Sequence, residues 1–374
     1  MESRPPARIG DSIEDVDTPA LLVELDAFEE NLARMARSLE GSAIRLRPHS
    51  KTHKSPLVAA RQIALGAVGV CCQTVAEAEA MVMGGVRDVL VSNEVVGERK
   101  IARLAALARQ ARLGVCVDDA GNAEALAGAA RAFGATLETY IEVDVGSRRC
   151  GVEPGAPARD LARRVTAAPG LRLAGLQGYF GSAQHVRAHA ERGTAIADAA
   201  GKLGETKALI EKDGIACPVV TGAGTGTYRF EAASGVYTEV QPGSYVFMDR
   251  DYARNLGPDG APVRDFRHSL FVLATVMSRP APDRAVLDAG LKALAFDSGP
   301  PAIDGQAEAE YVRAADEHGV LRLGEGGRQL RLGDKVRLIP GHCDPTVNLH
   351  GWYVGVRGGR VEALWPIAAR GAGS

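Results

Sequence analysis

The sequence has few lysines and no long apolar run. No stretch approaches eighteen uninterrupted apolar residues, so no membrane-spanning helix is expected. Residues 1–6 contain no apolar segment of the kind found in secretory signal peptides, so no such peptide is expected either. The formal net charge of −2 gives no reason to expect a nucleic acid or a membrane surface as a partner.

Cysteine is also sparse. The six cysteines include one adjacent pair and no Cys-x-x-Cys motif. Five of them lie in or beside predicted strands, where a free cysteine behaves as a small buried apolar residue. We therefore expect a reduced protein of the cytoplasm.

The alternation of predicted strands and helices indicates the fold class. With 374 residues, 46% of them hydrophobic and 24% charged, the chain has the composition of a globular protein of two domains. Strands are predicted at 43–48, 68–73, 88–92, 112–117, 136–144, 171–180, 217–222 and 238–248, and helices at 75–83, 97–111, 120–133, 156–168, 186–213 and 230–234, after a first helix that begins near Asp26. Eight parallel strands joined by helices close a (β/α)₈ TIM-type barrel. An open doubly wound sheet is disfavoured because no Gly-x-Gly-x-x-Gly motif follows the first strand.

The pattern changes after Tyr252. Residues 256–374 contain short apolar stretches separated by Gly, Pro and Asp, with almost no helical periodicity. This pattern predicts an all-β domain. We expect the barrel to comprise residues 25–255, and the β-domain to comprise residues 1–24 and 256–374.

The segment RPHSKTHK at 47–54 ends the first predicted barrel strand. Period-two alternation puts Ile44 and Leu46 on one face, and Arg47, His49 and Lys51 on the other. A polar inward face that ends in lysine is typical of a barrel strand that opens into an active site. Only eight of the 44 basic residues are lysines, and lysine can lose its proton and form a Schiff base, whereas arginine cannot. A surface lysine after a strand is the alternative.

Polar residues also follow the other predicted strands, at the end where barrels place their active sites. These are Gln73, Asn93, Asp118, Asp144, Arg149, Tyr179, Gln184, His185, Ser244 and Tyr245. The run GAGTGT at 222–227 follows the seventh strand, a common position for phosphate. Backbone N–H groups made accessible by Gly222, Gly224 and Gly226, with the hydroxyls of Thr225 and Thr227, would hold a dianion, although a plain tight turn would bind nothing. A phosphate site that faces Lys51 suits pyridoxal phosphate.

Arginine follows the fifth strand, in VDVGSRRCG at 143–151. Arg149 is a candidate partner for the pyridine nitrogen of that cofactor, which it would leave unprotonated. Spacing does not separate Arg149 from the adjacent Arg148. An arginine in a surface ion pair is the alternative.

A second cluster, PGHCDPTVN at 340–348, lies far away in the sequence. In an extended segment His342 and Asp344 share one face, and Cys343 points to the other. One imidazole and one carboxylate suit Mn²⁺, with Co²⁺, Mg²⁺ and Zn²⁺ as alternatives, and leave positions open to water and substrate. A hydrogen-bonded pair at a domain interface would show the same motif.

Taken together, these motifs resemble a known enzyme family. In order and spacing, the chain is similar to the D-threonine aldolases from about residue 17 to residue 371. The motifs are RPHSKTHK at 47–54, CCQ at 71–73, VSNE at 91–94, VDVGSRRCG at 143–151, the run at 221–227, SYVFMD at 244–249, LDAGLK at 287–292 and PGHCDPT at 340–346. D-threonine aldolases are fold type III pyridoxal-phosphate enzymes, alongside 3-hydroxy-D-aspartate aldolases, D-serine dehydratases and alanine racemase.

The resemblance implies a role for each candidate residue. Lys51 would be the Schiff-base lysine and His185 the catalytic base near the substrate hydroxyl. The expected cofactor contacts are Lys51, Gln73, Arg149, Tyr179, Gly224, Thr225, Gly226, Ser244 and Tyr245. His342 and Asp344 would be the metal ligands. The dehydratases place cysteine at the second ligand position, so Asp344 indicates an aldolase.

The implied activity is the metal-dependent retro-aldol cleavage of D-β-hydroxy-α-amino acids, such as D-threonine to glycine and acetaldehyde. A dehydratase of D-serine or D-3-hydroxyaspartate, and a non-catalytic carrier of pyridoxal phosphate, are the alternatives. Because Lys51 and Asp344 lie in different predicted domains, we expect the site at their junction. The superfamily resemblance also implies a head-to-tail homodimer in which the partner's β-domain covers each barrel mouth.

The chain departs from the family pattern at three places. Ala223 stands where a third consecutive glycine is usual, Phe180 stands where a polar residue is usual, and residues 147–148 replace a smaller pair that contains glycine. Phe180 and Arg148 bear on the substrate side chain, so the pattern does not decide between D-threonine, D-3-hydroxyaspartate and D-phenylserine. The segment DEH at 316–318 resembles a family motif to which no role is assigned.

Overall fold

The computed structural model describes residues 4–324 and 330–373. Regular structure begins with β1 (Ala20–Glu24) and α1 (Leu25–Leu39). The Glu24 carboxylate accepts a hydrogen bond of 2.7 Å from the Ala27 N–H and so caps the start of α1. Phe28, Leu32 and Met35 recur at helical spacing and are buried. This helix therefore has one apolar face for packing.

Eight parallel strands form the first sheet. They are β2 (Arg45–Leu46), β3 (Val70–Cys72), β4 (Asp88–Glu94), β5 (Arg112–Val117), β6 (Leu137–Glu142), β7 (Leu171–Gly178), β8 (Val219–Gly222) and β9 (Glu239–Val240). They are joined by α2 (Pro56–Ala64), α3 (Val75–Met83), α4 (Glu98–Leu107), α5 (Ala120–Ala132), α6 (Ala156–Ala167), α7 (His189–Lys212) and α8 (Tyr228–Ala233). A parallel bridge between His49 and Cys71 joins the two ends of the sheet. The predicted (β/α)₈ barrel is confirmed.

Three local predictions differ clearly from the structure. Helix α2 was not predicted, although Pro56 stands in its first turn, because only Val58, Ala59 and Gln62 are buried and the apolar pattern is weak. The strands predicted at 43–48 and at 238–248 are each only two residues long. Pro242 has no N–H to donate to a strand ladder, and the chain turns into a 3₁₀ segment at Ser244–Val246.

The second sheet has nine strands. With β1, it contains β10 (Leu270–Ala281), β11 (Arg284–Leu287), β12 (Ala302–Ile303), β13 (Ala309–Ala314), β14 (Gly319–Leu323), β15 (Lys335–Ile339), β16 (Trp352–Arg357) and β17 (Arg360–Pro366). A short helix, α9 (Cys343–Val347), lies between β15 and β16. Strand β1 pairs antiparallel with β10 and parallel with β16, so the N-terminal strand lies among C-terminal ones. Residues 1–3, 325–329 and 374 of the predicted β-domain lie outside the described residues, and the domain boundaries stay a prediction.

An aromatic cluster joins the two sheets. The ring of Phe28 lies 6.3 Å from that of Phe247 and 5.6 Å from that of Trp365, and Phe247 lies 5.5 Å from Tyr353. Burial of each such side chain contributes about 2 kcal/mol. The Tyr353 hydroxyl also donates a 2.7 Å hydrogen bond to the His53 carbonyl. The segment that carries the candidate lysine is thus held against β16.

In the part of the chain that the structure describes, no helix combines the length and the apolarity that a membrane crossing requires. All six cysteines are free, and five of them are buried.

The turn at 316–318 joins β13 to β14. The Lys292 N–H donates to the Asp316 carbonyl at 3.0 Å, and the Lys292 ammonium pairs with Glu317. These contacts give the DEH segment a structural role within the second sheet.

Candidate active site

A cavity of about 120 Å³ lies at the carboxyl ends of the barrel strands, where they meet the segment before α9. Its lining contains His49, Lys51, Thr52, Gln73, Ser92, Arg149, Gln177, Tyr179, His185, Ala223, Gly224, Thr225, Gln241, Gly243, Ser244, Tyr252, His342 and Asp344. The structure thus brings ten of the twelve predicted site residues together. A larger cavity of about 400 Å³ adjoins it at Thr225 and Tyr252, but Lys51 and Asp344 do not line that one.

Lys51 and Asp344 meet in the first cavity although 293 positions separate them in the sequence. Lys51 Nζ lies 3.7 Å from Asp344 Oδ2, and their side chains are 38% and 14% exposed. Burial alone would lower the pKa of Lys51, but the charges of Asp344 and Tyr179 outweigh it and raise this pKa. Burial would raise the pKa of Asp344, but Lys51 and His342 lower it. The cavity therefore holds an ammonium against a carboxylate.

His49 forms part of the cavity wall beneath Lys51. Burial holds the pKa of His49 well below its usual value, so the imidazole is neutral. Its Nδ1 accepts a 3.3 Å hydrogen bond from the Lys51 N–H, and its Nε2 lies 2.7 Å from Gln73 Nε2 and 3.1 Å from Ser92 Oγ. One neutral ring thus ties the lysine segment to the ends of β3 and β4.

The glycine-rich loop offers donors for an anion. Gly224 and Thr225 are buried, and within the described residues their backbone N–H groups have no hydrogen-bond acceptor. Ala223 has a φ of +72°, in the left-handed region that favours glycine. The loop holds Ala223 in this conformation although it has a side chain. Buried N–H groups need a partner, and a phosphate would supply one. These residues fit the phosphate of the implied cofactor.

Arg149 and Tyr179 lie together on the barrel side of the cavity. The Arg149 guanidinium carbon is 5.6 Å from the centre of the Tyr179 ring. Ser147 Oγ donates to the Tyr179 carbonyl at 2.9 Å and accepts from the Gly181 N–H at 2.9 Å, which ties the loop after β6 to the loop after β7. Arg149, and not the adjacent Arg148, is the arginine that lines the cavity.

His185 is held by a buried carboxylate. Its Nδ1 lies 2.5 Å from Asp251 Oδ2, and Arg187 pairs with the other carboxylate oxygen. Burial would raise the pKa of Asp251, but Arg187 and His185 keep it below the usual value. The Tyr252 ring lies 5.4 Å from the imidazole. With Nδ1 engaged by a carboxylate, Nε2 is the nitrogen left for proton transfer.

His342 and Asp344 both line the cavity, but not for the predicted reason. His342 has an extended backbone, but Cys343 and Asp344 lie in the first turn of α9, so the segment is not extended throughout. His342 Nδ1 lies 2.6 Å from Asp297 Oδ2. An imidazole and a carboxylate beside each other form a donor set that fits a divalent cation and leaves it open positions.

Gly226 and Tyr245 are absent from the cavity lining. The Gly226 N–H donates to Gln184 Oε1 at 3.1 Å. The Tyr245 hydroxyl is buried and accepts from Gln62 Nε2 at 3.0 Å, so this side chain packs behind the cavity. Its backbone N–H donates to Thr225 Oγ1 at 3.0 Å and thereby supports the glycine-rich loop.

The structure also adds residues that the sequence analysis did not select. The lining contains His49, Thr52, Ser92, Gln177, Ala223, Gln241, Gly243 and Tyr252. Inward alternation had placed His49 on the same face as Lys51 without giving it a role, and the same rule would have identified Gln177 and Gln241. No local sequence pattern identifies Asp251 or Asp297. Loop packing brings Asp251 to His185 and Asp297 to His342.

Comparisons with known proteins agree with this geometry. A family model described as alanine racemase, N-terminal domain, matches residues 23–251, and one described as putative serine dehydratase domain matches residues 269–356. The chain is 50% identical to a D-threonine aldolase from an Arthrobacter species, with 98% of this chain and 96% of that protein covered. It is 44% identical to a 3-hydroxy-D-aspartate aldolase from Paracoccus denitrificans, with the same coverage of 98% and 96%.

A solved structure gives the same result. The crystal structure of D-threonine aldolase from Filomicrobium marinum matches with a TM-score of 0.96 and 50% sequence identity, covering 99% of this chain and 100% of that one. Both parts of the fold are therefore shared with these relatives. The chain belongs to the family that contains D-threonine aldolase and 3-hydroxy-D-aspartate aldolase, built on the alanine racemase type of barrel.

Proposed function

We propose that this protein is a lyase that depends on pyridoxal phosphate and a divalent metal ion and cleaves D-β-hydroxy-α-amino acids into glycine and an aldehyde. The observation that carries the proposal is the content of one cavity. Its lining contains a lysine, an arginine and a histidine–carboxylate pair. It also contains a glycine-rich loop with two N–H groups that have no acceptor among the residues that the structure describes. The identity of 50% to a D-threonine aldolase supports this reading.

Four groups would hold the cofactor. Lys51 would bind its aldehyde carbon, and the N–H groups of Gly224 and Thr225 would bind its phosphate. Arg149 would face the pyridine nitrogen, with Tyr179 beside the ring. When bound, pyridoxal phosphate supplies an electron sink for the bond that is broken.

The ligands of the metal ion would be His342 and Asp344. A divalent ion there supplies a Lewis acid that lowers the pKa of the substrate β-hydroxyl. We propose Mn²⁺, because one nitrogen and one oxygen ligand with open positions suit it, and Co²⁺, Mg²⁺ or Zn²⁺ could replace it. Aspartate at the second ligand position, where the dehydratases have cysteine, favours cleavage over dehydration.

His185 would accept the proton from the β-hydroxyl. Asp251 accepts the hydrogen bond from Nδ1, so Nε2 carries the lone pair that takes the proton. Loss of this proton would let the hydroxyl oxygen become the aldehyde oxygen as the Cα–Cβ bond breaks. The electron pair of that bond would remain on Cα, which would take up a proton to give glycine. The charge of Asp251 also stabilises the imidazolium that forms, while Arg187 keeps Asp251 ionised.

We further propose that the protein is a head-to-tail homodimer. In the single chain, the side chains of Lys51, His185 and His342 are 38%, 46% and 29% exposed. Catalysis of this kind gains from exclusion of water, which a partner's β-domain over the barrel mouth would provide. Six free cysteines are consistent with a reducing compartment, and we propose the cytoplasm.

The test is incubation of the purified, cofactor-loaded protein with D-threonine and Mn²⁺, with and without a chelator, followed by identification of products by mass. L-Threonine is the control for configuration. We expect glycine and acetaldehyde from D-threonine, and neither product when the chelator is present.

Other products would change the conclusion. 2-Oxobutyrate and ammonia would identify a dehydratase and would overturn the argument from Asp344. If D-threonine gives no product, D-3-hydroxyaspartate and D-phenylserine are the next substrates. If no D-β-hydroxy amino acid is consumed although the cofactor is bound, the protein is a pyridoxal-phosphate carrier.

A further inference from the structure

The metal-site histidine has a partner that lies outside the cavity lining. Asp297 Oδ2 lies 2.6 Å from His342 Nδ1, and Ser298 Oγ donates to the same carboxylate oxygen at 3.1 Å. An imidazole whose Nδ1–H donates to a carboxylate keeps its lone pair on Nε2. Nε2 is then the nitrogen that is free to bind a cation.

The backbone around Asp297 is tied to the segment that carries His342. The Ala295 N–H donates to Thr346 Oγ1 at 3.2 Å, and Thr346 Oγ1 donates to the His342 carbonyl at 2.8 Å. The two segments also touch directly, because a Cβ added at Gly341 would lie 2.3 Å from the Gly299 carbonyl oxygen. Residues 295–299 and 341–346 therefore pack as one unit.

The loop has its own anchor in the second sheet. The ring of Phe296 packs against that of Tyr311 in β13 at 5.6 Å. A surface ion pair between two mobile side chains contributes little, because ordering both side chains costs entropy. The Asp297 side chain is 51% exposed, but the backbone contacts already place this residue beside His342. The hydrogen bond to His342 therefore requires little further ordering of the Asp297 side chain.

We propose that Asp297 is a positioning residue for the metal site, holding His342 in the ring orientation and tautomer in which Nε2 binds the divalent cation. This inference rests on the metal site of the proposed function. Carboxylates that hold metal-binding histidines in this way change metal affinity by about 10- to 100-fold. The Asp297→Ala variant should bind Mn²⁺ about 10- to 100-fold more weakly than the wild type.

The experiment measures the dissociation constant of Mn²⁺ from the electron paramagnetic resonance signal of the free ion, with full-length protein loaded with pyridoxal phosphate. Asp297→Asn should lose less affinity than Asp297→Ala, because an amide oxygen can still accept the hydrogen bond without the charge. Asp283→Asn, in the exposed turn between β10 and β11, is the matched control and should bind as the wild type does. The visible absorbance of the cofactor should be the same in all variants.

Two outcomes would overturn the inference. If Asp297→Ala binds Mn²⁺ within about twofold of the wild type, well short of the loss expected for such a carboxylate, Asp297 does not position the ligand. If it binds as poorly as Asp344→Ala, Asp297 is itself a ligand. If His342→Ala and Asp344→Ala both bind Mn²⁺ as tightly as the wild type does, the metal site of the proposed function is refuted. The inference about Asp297 is then refuted with it.

Discussion

Glu142 should carry a proton at neutral pH in the folded protein. It ends β6, and only 4% of it is exposed. Burial, and next the charge of Glu94, raise its pKa to about 8, although a hydrogen bond with Cys116 and the charge of Arg149 act in the opposite direction. Within the described residues, Glu142 Oε2 has no hydrogen-bond partner. The perturbation that tests this state is Glu142→Gln, which keeps the shape and cannot ionise.

The magnitude follows from proton linkage. Glutamate in the unfolded chain ionises near 4.5, so between pH 4.5 and about 8 the folded protein retains a proton that the unfolded chain has released. The free energy of unfolding therefore falls as pH rises through this window, by about 1.4 kcal/mol per pH unit. From about pH 5.5 to about pH 8.5 the loss is about 3 kcal/mol. The Glu142→Gln variant should not show this loss.

The assay is urea unfolding of both proteins at these two pH values, at one protein concentration, because the stability of the proposed homodimer would depend on concentration. Relative to the wild type, Glu142→Gln should be about 3 kcal/mol more stable at the higher pH than at the lower one. Glu205→Gln, on the exposed side of α7, is the control. A stability difference that stays constant within about 0.5 kcal/mol between the two pH values would refute the reasoning, because Glu142 would then ionise as it does in the unfolded chain.

Three substitutions test the catalytic assignments. Lys51→Ala should abolish the visible absorbance of bound cofactor, since among the described residues no other lysine lines the cavity; retained absorbance would assign the role to Lys54 or elsewhere. Asp344→Ala should abolish metal-dependent cleavage and leave cofactor absorbance unchanged, and full activity of this variant with chelator present would remove the metal from the mechanism. Asp251→Asn should lower kcat by about 100-fold with little change in KM, because His185 loses the charge that stabilises its protonated form. An unchanged kcat would show that His185 acts without Asp251.

The barrel half of the site could be predicted because its rules are local. Period-two alternation and the position of a strand end are properties of a few consecutive residues, and in a parallel barrel all carboxyl ends face one side. Lys51, Gln73, Arg149 and Tyr179 were selected in this way or by family resemblance, and all four line the cavity. The same rules wrongly placed Tyr245 in the site. The predicted last strand ends before Pro242, and Tyr245 lies in a 3₁₀ segment instead of on a strand.

The contacts of the histidines were not predictable. Asp251 is 66 positions from His185, and Asp297 is 45 positions from His342. Each contact depends on how a loop packs against another element, and no periodic pattern encodes such packing. The geometry at Asp344 was likewise decided by α9, a five-residue helix too short to show a helical period.

By itself, the sequence determined the barrel, the β-rich C-terminal part and the residue types available at each strand end, because these depend on spacing along the chain. Only the tertiary structure decided that Lys51 and Asp344 lie 3.7 Å apart and that His185 and His342 each have a carboxylate on Nδ1. The physical reason is that the packing of α1, Phe247 and Tyr353 sets how the second sheet meets the barrel. Contacts across that junction join residues that no local rule connects.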